Sequence, residues 1–233
     1  MSKSVVVGRG MLGTAFKNSR QEDCLLFCSG VSDSKEVRFS AFAREESLLI
    51  DSIQKNKDKV AIYFSSFVAS SSCTPYAQHK KKMEGIVERC APRYLIVRLP
   101  QVVGITKNET LVSFFVKKIV LGEEVLVQSL SRRNLVDVED VVRVVEFLVS
   151  NRVFNKKITV GARYSISAFE IVNEISRILN KESITKIIDS GDEQVSDIDP
   201  IDRYLDQNDI LFAKEYSYNV LGKYVKKLAD LVV

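Results

Sequence analysis

The sequence is poor in the residues that build metal centres and disulfide frameworks. Its 233 residues include one histidine, His79, and four cysteines, Cys24, Cys28, Cys73 and Cys90, which form no CxxC pair. A zinc site therefore lacks a ligand set, and no metal is expected. We expect the cysteines to be reduced thiols, as in a cytoplasmic protein.

Long apolar runs and a strong excess of one charge are also missing. No run approaches the roughly 20 apolar residues of a transmembrane helix, and the start MSKSVVVG leads into a strand without room for a signal peptide. The 34 basic and 30 acidic residues give a formal net charge of +4, which is too small and dispersed to predict nucleic-acid binding. We therefore expect a cytoplasmic protein with neither a membrane nor a nucleic-acid partner.

Apolar segments of strand length alternate with segments of helical periodicity through the first hundred residues. The predicted strands are VVV, CLLFC, KVAIYF and YLIVRL, and helices are predicted over residues 39–55 and 75–88, the second capped by Thr74. This alternation predicts parallel strands joined by right-handed crossovers. We therefore predict an α/β fold with a Rossmann-like, doubly wound parallel sheet.

Three glycines follow the first strand in the pattern GxGxxG. Gly8 permits a sharp turn, Gly10 lets the backbone approach a pyrophosphate, and Gly13 lets the next helix pack on the strand. The backbone N–H groups of Met11 and Leu12 would then face the anion. The turn predicts an NAD or NADP site.

The acidic residue that normally holds the adenosine ribose is missing, because the second strand ends in Cys28, Ser29 and Gly30. We expect Ser29 and Gly30 to border the cofactor. Either the ribose is held differently, or the cofactor carries a 2′-phosphate that meets a cation, for which Arg9 is the candidate. The alternative is that Arg9 simply faces solvent. Between the two cofactors, these features slightly favour NADP.

Tyr76 and Lys80 are four residues apart on a predicted helix, so they share one face. We expect the ammonium to lower the pKa of Tyr76 and suit it to proton transfer. Ser66 follows the strand KVAIYF, where such a sheet places its ligand crevice, and Ser65 is the fallback. His79 is expected to face solvent or pack sideways without a catalytic role.

The order and spacing of these motifs resemble the extended short-chain dehydrogenase/reductase family, in particular its nucleotide-sugar epimerases, dehydratases and ketosugar reductases. The matching segments are VVVGRGMLG, FSSFVASSSCTPYAQHK, LIVRLPQVVG, RRNLVDVEDVVRVV and ITVGARYSISAFEIVNEISRIL with YLDQNDI. The resemblance implies that Ser66, Tyr76 and Lys80 are catalytic and that Tyr76 and Lys80 also contact the cofactor.

The resemblance further implies that Gln101 contacts the substrate and that Arg133 binds its phosphates, a task suited to a guanidinium. A surface ion pair is the alternative for Arg133. A nucleotide-sugar substrate, cell-surface polysaccharide synthesis, and a homodimer formed through the helices carrying Tyr76 and Val141 are also implied.

The chain departs from the family in ways that bear on the cofactor and the reaction. It lacks a strand–helix–strand portion before CLLFCSG, and its glycine turn is one residue tighter than the usual GxxGxxG. Dehydratases of the family carry an Asp-Glu pair where Ser66 is followed by Phe67 and Val68. Dehydration is therefore disfavoured, which leaves a ketosugar reductase, slightly preferred, or a 4-epimerase. The alternative is a catalytically silent NAD(P)- or nucleotide-sugar-binding protein of the same fold.

The periodicity loosens after residue 105, and we predict two domains. Residues 1–155 form the NAD(P)-binding domain, with 105–130 contributing to a second lobe, and residues 156–233 form a small C-terminal α/β substrate lobe. The acidic segment DSGDEQVSDIDPID is predicted to be a solvated loop.

Overall fold

The computed structural model describes residues 3–19, 22–191 and 199–232. The strands are β1 Val5–Val7, β2 Cys24–Phe27, β3 Val60–Ser66, β4 Tyr94–Leu99, β5 Gln101–Val103, β6 Val125–Gln128, β7 Arg132–Arg133, β8 Leu135–Asp137, β9 Lys156–Thr159, β10 Ile166–Ser167 and β11 Thr185–Ile188. The α-helices are α1 Met11–Ala15, α2 Phe39–Lys55, α3 Pro75–Cys90, α4 Leu111–Leu121, α5 Val138–Ser150, α6 Ala168–Leu179, α7 Asp199–Asp202 and α8 Tyr216–Ala229. Within this described part, no helix is long and apolar enough to cross a membrane.

The first compact unit, Met1–Leu99 with Glu139–Val160, contains a five-stranded parallel sheet in the order β1-β2-β3-β4-β9. The inner strands β2 and β3 are buried along almost their whole length and are largely apolar, as expected where both sheet faces are covered. Tyr63 belongs to a core that includes residues of α2 and α3, and its neighbour in the strand, Ile62, is fully buried as well. The predicted α/β, Rossmann-like parallel sheet is therefore confirmed.

The order of the strands runs in one direction, with β1 on the outside. Among the described residues, β1 pairs only with β2, and an isolated antiparallel bridge joins Lys3 and Glu22, just before these two strands. A doubly wound sheet has strands on both sides of the glycine-turn strand. The short connection from β1 to β2 explains the difference, since it leaves no room for a further strand–helix–strand portion.

The helix after the glycine turn is short. α1 ends at Ala15 and is followed by a single 3-10 turn, Phe16–Asn18. The Phe16 ring is buried and lies 5.3 Å from the ring of Phe64 on β3. This contact anchors the segment to the sheet.

The second unit comprises Pro100–Val138 and Gly161–Val233. It contains the parallel pairs β5–β8 and β6–β11 and the antiparallel pair β7–β10, with α4, α6 and α8 in mutual contact. Capping boxes begin two of these helices, Thr110 with Ser113 at α4 and Ser167 with Glu170 at α6.

This division differs from the predicted boundary at residue 155. β9 completes the first sheet, where Ile158 lies opposite Val97, so residues 156–160 belong with the first unit. β5 and β8 pair with each other and belong to the second unit. Strand pairing between distant segments, which periodicity does not reveal, accounts for both differences. Half of the predicted acidic loop, residues 192–198, lies outside the described residues.

Candidate active site

Two of the three glycines of the turn, Gly8 and Gly13, have a steric reason to lack a side chain. Gly8 has φ +124°, and a Cβ there would lie 2.5 Å from the carbonyl oxygen of Cys28. A Cβ on Gly13 would lie 2.5 Å from the carbonyl oxygen of Gly8, whereas one on Gly10 would meet nothing within 4 Å. The turn therefore bends at Gly8, packs tightly at Gly13 and stays open above Gly10, as a pyrophosphate-binding turn requires.

The surroundings of the turn fit the pyrophosphate of a dinucleotide better than its adenosine ribose. The Cys28 N–H donates to the carbonyl oxygen of Val7 at 2.7 Å, which brings Ser29 beside the bend. Arg9 is exposed at the turn, as its candidate role with a 2′-phosphate requires. The pyrophosphate thus has an open approach, while the outermost position of β1 leaves the adenosine ribose without the usual neighbouring strand in the described part of the chain.

Ser66 and Tyr76 come together at the carboxyl end of β3. α3 begins at Pro75, and the Thr74 hydroxyl accepts a hydrogen bond from the Ala77 N–H at 3.2 Å, as predicted for the cap. Tyr76, in the first turn, is buried, and the Ser66 side chain is close enough to lower its pKa through hydrogen bonding. The structure thus brings together two of the residues that the sequence predicts to be catalytic.

Lys80 lies one turn further along α3 and is 2% exposed. Its ammonium nitrogen is 5.7 Å from the centre of the Tyr76 ring, so Ser66, Tyr76 and Lys80 converge. The ammonium also donates to Glu45 Oε1 at 3.1 Å and to the Tyr63 hydroxyl at 3.3 Å. Lys80 therefore has a buried counter-ion within the protein.

The expected effect of Lys80 on Tyr76 is wrong. Burial raises the pKa of Tyr76 to about 12; the hydrogen bond with Ser66 opposes this rise, and the charges of Glu45 and Asp33 add to it. Lys80 is not among the groups that shift the pKa of the phenol, and burial lowers the pKa of Lys80 itself. The expected lowering of the phenol pKa is therefore absent.

Of the two placements expected for His79, sideways packing is the one observed. His79 is 5% exposed, its Nε2 lies 3.0 Å from Glu45 Oε2, and its ring stacks on Phe42 with ring centres 4.3 Å apart. Because a carboxylate accepts hydrogen bonds only, Nε2 carries the proton. His79 is therefore buried and holds the Glu45 carboxylate in place by a hydrogen bond.

Glu45 is the residue that the sequence interpretation missed. Its carboxylate is fully buried on α2 and accepts hydrogen bonds from the Val31 N–H at 2.6 Å, from the Tyr63 hydroxyl at 2.8 Å, and from His79 and Lys80. Burial raises the pKa of Glu45, but these partners outweigh it and lower the pKa to about 2. One signal was available, since Glu45 falls on the same helical face as Phe42 and Leu49.

A second buried carboxylate gives Ser65 a different partner from Ser66. The Ser65 hydroxyl donates to Glu84 Oε1 at 2.6 Å, and Arg98 binds both oxygens of Glu84, at 2.8 and 2.7 Å. Because its hydroxyl is committed to this structural network, Ser65 does not replace Ser66 in the candidate site.

The two predicted substrate-binding residues lie close together in the second unit. Gln101 begins β5, opposite Leu135, and its N–H donates to the carbonyl oxygen of Asn134 at 3.1 Å. Arg133 immediately precedes Asn134, and its Nη1 donates to the carbonyl oxygen of Arg132 at 2.9 Å. In the described ranges, no group of three or more His, Cys, Asp and Glu residues is placed to hold a metal ion.

Comparison with known proteins agrees with the motifs. Residues 58–161, somewhat under half of the chain, match the model of the NAD dependent epimerase/dehydratase family. The resemblance to this family is thereby confirmed over β3, α3, β4 and the RRNLVDVEDVVRVV segment. No curated protein sequence matches the chain significantly.

Several solved structures share the fold. UDP-glucuronic acid 4-epimerase from Bacillus cereus, in complex with UDP-glucuronic acid and NAD, is 14% identical, with 94% of this chain and 79% of that one covered and a TM-score of 0.72. UDP-N-acetylglucosamine 4-epimerase from Methanobrevibacter ruminantium is 18% identical, with coverage of 95% and 80% and a TM-score of 0.71. A dTDP-4-dehydrorhamnose reductase from Clostridium acetobutylicum is 12% identical, with coverage of 98% and 99% and a TM-score of 0.74. At these identities the comparisons establish the common fold.

Proposed function

We propose that this chain, a relative of the NAD dependent epimerases and dehydratases, reduces a keto group on the sugar of a nucleotide-diphosphate sugar with NADH or NADPH. The observation that carries the proposal is the convergence of Ser66, Tyr76 and Lys80 at the end of β3, beside a glycine turn that is open to a pyrophosphate. As the resemblance implies, such an enzyme would serve cell-surface polysaccharide synthesis and act as a homodimer.

Each residue of the candidate site has its own role in the proposed reaction. When bound, the nicotinamide supplies the hydride that forms the new C–H bond at the carbonyl carbon. Tyr76 transfers its phenolic proton to the carbonyl oxygen, and the Ser66 hydroxyl holds that oxygen in place. Solvent then returns a proton to Tyr76. Gln101 and Arg133 are proposed to bind the substrate, with Arg133 on the phosphates.

Reduction is favoured over the other reactions of the family for two reasons. Phe67 and Val68 stand where dehydratases carry acids. The full length of the dehydrorhamnose reductase is matched, whereas the two epimerases are covered to 79% and 80%.

The cofactor is proposed to be NAD(H) or NADP(H). Four solved structures of the same fold, among them the Bacillus cereus epimerase, are complexes with NAD, and the exposed Arg9 is the feature that favours NADP(H). Titrating NADH and NADPH separately, by their fluorescence, distinguishes the two. An Arg9→Ala variant that weakens NADPH binding and leaves NADH binding unchanged would assign the 2′-phosphate to Arg9.

The test of the reaction is turnover of a panel of keto-sugar nucleotides, including dTDP-4-dehydrorhamnose, by the wild type and by Tyr76→Phe. We expect oxidation of the reduced cofactor by the wild type and a loss of about a hundredfold or more in Tyr76→Phe. The rival function is a silent binding protein, which the outermost position of β1 favours. Cofactor binding without turnover, or turnover that survives Tyr76→Phe, would reject the reductase in favour of this rival or of different chemistry.

A further inference from the structure

A buried cluster next to the candidate site joins four segments of the first unit. Glu45 comes from α2, Tyr63 from β3, His79 and Lys80 from α3, and Val31 from the loop after β2. The Glu45 carboxylate has these four hydrogen-bonding partners within 3.1 Å and no exposure to solvent. Burial raises its pKa, but the partners lower it to about 2, so the carboxylate is ionised at neutral pH.

Lys80 is buried as deeply as Glu45 and carries the opposite charge. Burial lowers the pKa of Lys80, whereas the charge of Glu45 and its hydrogen bond to the ammonium, at 3.1 Å, raise it. The ammonium also lies 5.4 Å from the ring centre of Tyr63 and 5.7 Å from that of Tyr76, and aromatic faces attract a cation. Lys80 therefore depends on a partner inside the protein to remain charged.

The loop after β2 packs directly on the two charged groups. The Val31 N–H donates to Glu45 Oε2 at 2.6 Å. A Cβ on Gly30 would lie 2.7 Å from the Lys80 ammonium nitrogen and 2.9 Å from Glu45 Oε1. The absence of a side chain at Gly30 thus lets the ammonium and the carboxylate stay in contact.

We propose that Glu45 is a positioning residue of the cofactor site, whose carboxylate is the buried counter-ion that keeps Lys80 charged and in place beside Tyr76. This inference rests on the proposed function and deepens it, because it names the residue on which the role of Lys80 in cofactor binding depends. Without the carboxylate, a buried lysine loses its proton at a lower pH, and a neutral amine is a weaker hydrogen-bond donor than an ammonium.

Other charged groups that act on Lys80 come from the elements packed against α3, namely α2, β3, β4 and the 3-10 turn after β3. Glu84, on α3 itself, acts in the same direction as Glu45, but Arg98 on β4 binds both of its oxygens and compensates its charge. β3 and the 3-10 turn, Phe67–Ala69, carry no charged side chain. Glu45 is thus the carboxylate in direct contact with the Lys80 ammonium.

The first experiment is a titration of Lys80 itself, in the protein without cofactor or substrate. The protein is labelled with carbon-13 at lysine Cε, whose NMR chemical shift reports protonation of the amine, and Lys80→Met identifies the signal. The wild type is compared with Glu45→Gln. Glu46→Gln is the matched control, because Glu46 neighbours Glu45 but pairs with the exposed Lys82 at 2.6 Å.

We expect Glu45→Gln to move the Lys80 titration to lower pH by about one unit or more, which raises the ratio of amine to ammonium tenfold or more at a given pH. Glu46→Gln should leave the titration in place. An unmoved Lys80 titration in Glu45→Gln would overturn the proposal.

Gly30→Ala is a second variant that retains both charges, and it serves if Glu45→Gln does not fold. The added methyl group would push the ammonium and the carboxylate apart. The Lys80 titration should therefore move in the same direction as in Glu45→Gln, but less far. Circular dichroism at each pH confirms that the variant is folded, and an unmoved titration in folded Gly30→Ala would contradict the proposed contact.

The second experiment measures the affinity for NADH and NADPH by fluorescence titration in the wild type, Glu45→Gln, Lys80→Met and the double variant. We expect Glu45→Gln to weaken binding about tenfold at pH 8 and less at pH 6, where more of Lys80 is protonated. The double variant should bind no more weakly than Lys80→Met, because Glu45 acts through Lys80. Losses that add in the double variant, or full affinity in Glu45→Gln, would reject the role in cofactor binding.

The outcomes separate this inference from the proposed function. If the cofactor binds but no keto-sugar nucleotide is turned over, the proposed function fails, while the Lys80 titration and the cofactor affinities still decide the role of Glu45. Turnover by the wild type together with undiminished cofactor affinity in Glu45→Gln would reject the role of Glu45 alone. A wild type that binds neither cofactor would reject both.

Discussion

The Ser65 hydroxyl donates to Glu84 at 2.6 Å, whereas the next hydroxyl along β3, that of Ser66, pairs with Tyr76. Two consecutive serines are thus separated by function: one belongs to a buried structural network and the other to the candidate site. Each can be changed to alanine with the loss of a single oxygen.

This separation predicts opposite results for the two alanine variants. Ser65→Ala should lower the free energy of unfolding by about 1–3 kcal/mol, because it removes a hydrogen bond to a buried carboxylate, and should leave kcat nearly unchanged. Ser66→Ala should lower kcat about tenfold or more with little change in stability. Chemical denaturation and steady-state kinetics check the pair, and a loss of kcat in Ser65→Ala equal to that in Ser66→Ala would contradict the assignment.

Within the glycine turn, alanine substitutions of Gly13 and Gly10 should differ in their effect on stability. A Cβ on Gly13 would collide with the carbonyl oxygen of Gly8, so Gly13→Ala should destabilise the fold by about 1–3 kcal/mol and weaken cofactor binding. Gly10→Ala has open space and an ordinary φ of −75°, so its stability should be close to that of the wild type. Its cofactor affinity should nevertheless fall about tenfold or more, because the methyl group occupies the approach of the pyrophosphate.

Fluorescence titration of NADH and NADPH and thermal melts of the unliganded protein separate these effects. The informative variant is Gly10→Ala, since its fold is expected to be intact. Undiminished binding of both cofactors by Gly10→Ala would place the dinucleotide elsewhere.

Glu45 makes stability depend on acid pH. Its pKa is lowered to about 2 from an ordinary 4.5, so its contribution to stability is present above pH 4.5 and is lost as the pH falls from 4.5 towards 2. The contribution is on the order of 3 kcal/mol. We expect the unfolding free energy of the wild type to fall more steeply over this interval than that of Glu45→Gln. Glu46→Gln should retain the wild-type slope, and parallel curves for the wild type and Glu45→Gln would refute the account of Glu45.

Arg133 is predicted to contribute to the affinity for the nucleotide-sugar. Arg133→Lys retains the charge but loses the planar fork that grips phosphate oxygens, so KM for the nucleotide-sugar should rise about tenfold with a smaller change in kcat. Lys186→Ala, which removes an exposed cation from β11 in the same unit, should leave KM unchanged. Equal KM values for Arg133→Lys and the wild type would contradict phosphate binding and favour the alternative, in which Arg133 forms a surface ion pair.

The sequence was sufficient for the elements of the first unit and for the convergence of Ser66, Tyr76 and Lys80. Helical spacing places Tyr76 and Lys80 on one face, and parallel topology brings the end of β3 to the start of α3. Glu45 and its hydrogen bond with His79 were missed for one physical reason. A polar residue on a helix is expected in solvent unless its partners are known, and the partners of Glu45 lie on β3 and α3, far away in sequence.

Local sequence patterns also could not predict that β9 belongs to the first sheet. Its pairing with β4 is a contact between distant segments, separated by the whole portion of the second unit that precedes α5. The pKa of Tyr76 was misjudged because its burial, the largest cause of the raised pKa, and the nearby charge of Glu45 are not visible in the local sequence.

The most direct test of the central claim is transfer of deuterium. Nicotinamide cofactor carrying deuterium at C4 is incubated with the protein and with whichever keto-sugar nucleotide oxidises it, and the product is analysed by mass spectrometry and NMR. The account predicts deuterium at the former carbonyl carbon with the wild type and almost none with Tyr76→Phe under the same conditions. Product without deuterium at that carbon, or equal labelling by the two proteins, would contradict hydride transfer assisted by Tyr76.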